Sequence, residues 1–117
     1  MKKLFFLLSL SIIMITCEKV HIMPGVEIPN WLKDRIAHDE ELIKSNPQSG
    51  LDIAAWVSYR YEGNYYFEYI NLFSSAGPPT YNYKGIQIMF NQDTYPKYCS
   101  NRCCKQYIWK GPSYIDL

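Results

Sequence analysis

The chain has 117 residues, 48% of them hydrophobic, and 12 basic against 11 acidic side chains give a net charge of +1, which is room for one domain with one core. So even a balance provides no basic face to neutralise phosphates and argues against nucleic acid as a partner. Aromatic content is the unusual quantity, at 16% with 11 tyrosines, whose apolar rings and polar tips suit half-buried sheet faces and binding surfaces alike.

Met1-Lys2-Lys3 is a positive n-region, and residues 4–15 form a mainly apolar run, in the proportions of a secretory signal. The run is too short to cross a bilayer, which takes about 20 apolar residues, and Glu18 and Lys19 close it. No Ala-x-Ala site for ordinary signal peptidase lies nearby. Met14-Ile15-Thr16-Cys17 instead resembles a lipobox, with Met14 and Thr16 standing for the commoner Leu and Gly or Ala. That resemblance implies removal of residues 1–16, leaving Cys17 as the N-terminus with a diacylglyceryl thioether and an amide-linked acyl chain. Three acyl chains, at about 0.8 kcal/mol per buried methylene, hold a protein to a membrane essentially permanently. The expected address is the cell envelope, outside the cytoplasm. No acidic run follows Glu18, so sorting between the two membranes stays open, with the outer membrane the expectation. The alternative is a plain secreted protein that uses Cys17 in a disulfide. Without Lys2 and Lys3, 10 basic residues face 11 acidic ones, all beyond Cys17, for a mature charge of −1.

Residues 17–29, with Pro24, Gly25 and Pro29 and no hydrophobic period, read as a tether to the lipid, and residues 30–117 as the domain. Asn30 stands at an N-cap position. Leu32, Ile36 and Ile43 share the face of an amphipathic helix of about four turns, stopped at Ser45-Asn46-Pro47. From Leu51 to Tyr61 the period changes to two, which predicts a strand. Gly63-Asn64 is a two-residue hairpin signal, and Tyr65 to Phe73 the returning strand, with Tyr65, Phe67 and Tyr69 on one face and Tyr66, Ile70 and Leu72 on the other. Residues 74–79 break the chain. A third strand is expected at Ile86–Phe90, a loop over Asn91–Lys97, and a short last strand at Gln106–Trp109. The fold class is α+β: one N-terminal amphipathic helix packed on a small antiparallel sheet of three or four strands.

Cys99, Cys103 and Cys104 form the one constellation that suggests chemistry. In an oxidising compartment such cysteines pair, and with Cys17 lipidated the remaining number is odd. A bridge from Cys99 to Cys103 or Cys104 is expected, because a ring between adjacent cysteines strains the peptide between them. With Cys17 unmodified, two bridges and three connectivities are open. A metal site is not expected, since His21 and His38 lie far off in sequence, and no cofactor is implied. His38-Asp39-Glu40-Glu41 reads as a solvated helix face, and Asp52 and Glu68 as carboxylates that could meet across the hairpin. No nucleophile elbow, phosphate loop or triad can be assembled, so enzymatic activity is not expected. The tyrosine-rich hairpin reads chiefly as sheet packing. Its sharper reading is a platform of Trp56, Tyr66, Tyr81 and Tyr83 for sugar rings or an envelope protein.

The helix opening Trp31-Leu32-Lys33-x-x-Ile36, the strand-turn-strand from Tyr59 to Phe67, and Cys99…Cys103-Cys104 together resemble a family of small lipoproteins from Bacteroidota-type bacteria, a domain of unknown function. The likeness covers roughly residues 17–110 and carries no catalytic residue with it. The expected role is a membrane-anchored, non-enzymatic binding or envelope-structural protein. The rivals are a periplasmic inhibitor or glycan-binding module working through the hairpin face, and an envelope glycan-acting enzyme.

Overall fold

The computed structural model describes residues 21–74 and 77–116. The leader and Cys17 lie outside them. The order is α1 (Asn30–Ser45), a 3-10 turn (Leu51–Ile53), β1 (Ala54–Tyr61), β2 (Asn64–Asn71), β3 (Thr80–Asn82), β4 (Gln87–Ile88), α2 (Thr94–Asn101) and β5 (Cys103–Lys110). All pairings are antiparallel in one sheet ordered β4-β3-β2-β1-β5, so the fold is α+β with a helix on an antiparallel sheet. The sheet has five strands among the described residues, against three or four expected. The extra strand is β3, three residues long and too short to show a period of its own.

Helix α1 spans the expected residues, but Asn30 is its first residue rather than its cap. Pro29 takes the cap position in extended geometry, and its carbonyl receives the N–H groups of Leu32 and Lys33 at 3.1 and 3.2 Å. Leu32 and Ile36 are wholly buried on the sheet, each contributing about 1.5–3 kcal/mol by leaving water. They cluster with Trp56, Phe67 and Trp109, while Ala54, Ile108 and Ile28 complete the cluster. Residues 21–29 do not hang free of this core. The Met23 N–H donates to the Ile108 carbonyl at 2.9 Å, Ile28 is 6% exposed, and Ile22 and Val26 pack alongside.

The hairpin turn is Glu62-Gly63, one residue earlier than expected, and Tyr61 pairs with Asn64 across it. Both turn residues have positive φ, 52° and 81°, the left-handed pair whose twist matches that of the strands. Opposite residues alternate faces: Trp56 with Tyr69 and Ser58 with Phe67 lie under α1, while Val57 with Glu68 and Tyr59 with Tyr66 face the other way. That second face is covered by α2, where a loop was expected. Three observations account for the helix. The Asn91 Oδ1 accepts the N–H groups of Asp93 and Thr94, both at 2.8 Å; Pro96 falls in the first turn, where its missing N–H costs nothing; and Tyr98 is wholly buried. The sheet thus lies between two helices.

Candidate functional site

The four residues expected to form an aromatic platform do not share a surface. Trp56 is fully buried beneath α1, and its indole N–H donates to Asp39 at 3.5 Å. Tyr81 is half-buried with its ring 5.7 Å from that of Trp56. Tyr66 stands on the other face of the sheet, 5.8 Å from Tyr98. Only Tyr83, 49% exposed, is open to solvent. The indole N–H of Trp31 holds the Tyr83 carbonyl at 2.8 Å, which fixes the β3–β4 turn against the start of α1.

Tyr83 has a different companion. Tyr65, 45% exposed, lies on the same side of the hairpin end, and the two tyrosines border a groove of about 360 Å³. Its other walls are Phe67, Ser58, Gln106 and the Gly25–Glu27 stretch. The Tyr83 and Phe67 rings are 6.0 Å apart, and Arg60 lies over the Tyr65 ring at 5.1 Å. Two exposed rings over a lining of hydroxyl, amide and carboxylate groups can stack on an apolar face while hydrogen-bonding its polar edge. The alternation of Tyr65, Phe67 and Tyr69 along β2 was the signal for this groove. Tyr66, one position along β2, faces the other side of the sheet and takes no part in it.

At the other end of the same sheet face, where α1 finishes beside the end of β5, lies a cleft of about 310 Å³ lined by His21, Glu40, Ile43, Lys44, Trp109, Lys110 and Pro112. Glu40 organises it. One carboxylate oxygen accepts the indole N–H of Trp109 at 2.9 Å and the His21 backbone N–H at 3.0 Å, and lies 3.0 Å from the His21 Nδ1. Asp39 beside it is 4% exposed, and burial raises its pKa above the ordinary value against the Trp56 hydrogen bond and Arg35. The stretch His38–Glu41 is therefore not a uniformly solvated face. Asp39 and Glu40 turn inward because two buried indole N–H groups need acceptors.

Glu68, 2% exposed, is held beneath α2. The Tyr98 hydroxyl donates to it at 2.7 Å and the Arg102 guanidinium pairs with the same oxygen. The guanidinium also lies 3.9 Å from the Tyr59 ring centre. Burial pushes Glu68 up, against the Tyr98 hydroxyl and Arg102. Tyr98 is pushed up by burial and by its carboxylate partner. Burial opposes the Arg102 charge, yet the Glu68 carboxylate leaves its pKa above the ordinary value. Asp52 sits in the 3-10 turn, so it does not meet Glu68 across the hairpin. The Glu68 cluster lines neither concavity and reads as a clamp between α2 and the sheet.

The cysteines depart from the expected pairing. Cys103 and Cys104 bridge each other, with Cα atoms 3.7 Å apart, and Cys99 is unpaired and half-buried in the last turn of α2. Cys104 has φ +68°, a backbone state that L residues seldom take and that belongs to this adjacent ring. Among the described residues no cluster of three His, Cys, Asp or Glu side chains could hold a metal ion. Compared with protein families, curated proteins and solved structures, the chain matches none.

Proposed function

We propose that this is a lipid-anchored envelope protein, attached through Cys17 and exposed outside the cytoplasm, whose domain binds a glycan without transforming it. The observation that carries the binding role is the groove between the exposed rings of Tyr65 and Tyr83. A sugar presents a face of C–H groups to an aromatic ring and hydroxyls to the Ser58, Gln106 and Glu27 edge. The buried carboxylates Asp39 and Glu68 are engaged by Trp56, Tyr98 and Arg102 away from this groove, which favours binding over acid–base chemistry. The anchor rests on the apolar leader ending at Cys17 and on the likeness to small Bacteroidota-type lipoproteins.

Calorimetric titration of the purified protein with soluble peptidoglycan fragments tests the binding role. Tyr65→Ala and Tyr83→Ala should each weaken binding about tenfold, the equivalent of about 1.4 kcal/mol, with unchanged unfolding midpoints because both rings are exposed. Tyr66→Ala, on the other face, should leave affinity unchanged. Binding that ignores Tyr65 and Tyr83 removes the groove from the account. A Cys17→Ser variant that still fractionates with membranes removes the anchor.

A further inference from the structure

Residues 17–29 have the composition of a loose tether, but most of that length is packed. His21 is fastened to Glu40, the Met23 N–H to the Ile108 carbonyl, and Ile28 is buried in the core. The chain is therefore pinned from His21 onward, and only three residues, Glu18 to Val20, separate that point from Cys17. The four steps from Cys17 to His21 span at most about 14 Å fully extended. A lipid on Cys17 must then lie within that distance of His21, which lines the cleft at the end of α1.

This end of the domain is suited to the neighbourhood. Ile43, Pro112 and the Trp109 indole line the cleft, and Lys44, in the last turn of α1, stands at its edge. Lys110 at the rim is held by Asp116 at 2.9 Å, and Glu41 is exposed nearby, so the surface has little net charge. Attraction here is apolar rather than electrostatic. The hairpin turn at Glu62-Gly63 is eight strand residues away along β1, about 26 Å.

We infer that the α1-end cleft seats the domain directly on the phospholipid bilayer, with Ile43 and Pro112 at headgroup depth and the Tyr65–Tyr83 groove directed away from the membrane. The inference rests on the anchoring reading above. It converts a swinging tether into a fixed orientation, because a short linker raises the effective concentration of the apolar surface at the bilayer.

The test uses the full-length protein, isotopically labelled, extracted from membranes and placed in phosphatidylcholine nanodiscs that carry a gadolinium-chelating lipid. Intact mass first reports whether Cys17 is acylated. Backbone amide signals of residues 42–45 and of Lys110, Gly111 and Ser113 should then be lost while those of residues 60–65 persist, at low and high salt alike. The variant Lys44→Glu, Pro112→Glu, altering two exposed lining residues, should unfold at the parent midpoint and lose that contrast. An acylated, folded protein whose amides broaden evenly, or most strongly at the hairpin, overturns the seating and leaves the anchor standing. An unmodified Cys17 overturns the anchor, and the seating with it.

Discussion

Arg102 lies between the rings of Tyr59 and Tyr98 with its guanidinium against Glu68, a position in which the cation is stabilising only while the carboxylate is present. Glu68 is almost completely removed from water, so deleting its partner leaves a buried charge with a single hydroxyl donor. Arg102→Leu should therefore destabilise the fold by about 3–5 kcal/mol, whereas Arg102→Leu with Glu68→Leu should recover most of the loss. Urea denaturation of the two variants measures the difference, and equal losses would mean that the pair is not the clamp between α2 and the sheet. In the sequence Glu68 is one acidic residue in a tyrosine-rich strand. Its partners lie 30 and 34 positions further on, and only the approach of α2 brings them together.

At the scale of elements, α1 and the β1–β2 hairpin were legible and α2 was not. The apolar residues of α1 recur at helical spacing and those of β1 and β2 alternate, so each pattern identifies its own buried side. The turn shifted by one residue because a two-residue loop of this type needs two left-handed residues, and Glu62 accepts that state to keep Tyr61 opposite Asn64. Glu62→Asn should accordingly stabilise the domain by about 0.5–1 kcal/mol, since asparagine occupies the left-handed region more readily. An unchanged or lower thermal midpoint for that variant would contradict the turn geometry. The stretch 91–97 looked like loop for sound local reasons, being polar and containing Pro96. What makes α2 helical is the Asn91 cap together with burial of Tyr98 on Glu68, Tyr61 and Tyr66.

For the molecule as a whole, the two buried carboxylates set the response to pH. Asp39 and Glu68 both have pKa values raised by burial, so the folded state binds their protons more readily than the unfolded chain does. The stability tied to them is fully present below the ordinary carboxylate values and is lost as pH rises through the raised folded values. Asp116, exposed and held low by its hydrogen bond to Lys110, acts in the opposite sense only at lower pH. The urea midpoint should hence hold or rise on going from pH 7 to pH 5, where a fold resting on exposed ion pairs would weaken. A falling midpoint over that interval would show that Arg102 and Tyr98 outweigh burial at Glu68.

Local order in the chain was enough to determine a helix over residues 30–45, a tyrosine-rich hairpin after it, and the class α+β, because hydrophobic period and turn chemistry act between residues a few positions apart. Tertiary structure alone decided which tyrosines are exposed, which cysteines are joined and that residues 21–29 pack on the sheet. Tyr65 and Tyr66 are alike in sequence and lie on opposite faces of the sheet, and the difference depends on where α1 and α2 settle. Pro24, Gly25 and Pro29 have the look of a free linker, yet Ile22, Val26 and Ile28 find apolar partners on the sheet. Those partners are supplied by strands up to some eighty residues later in the chain, and burial against them is what holds the segment down.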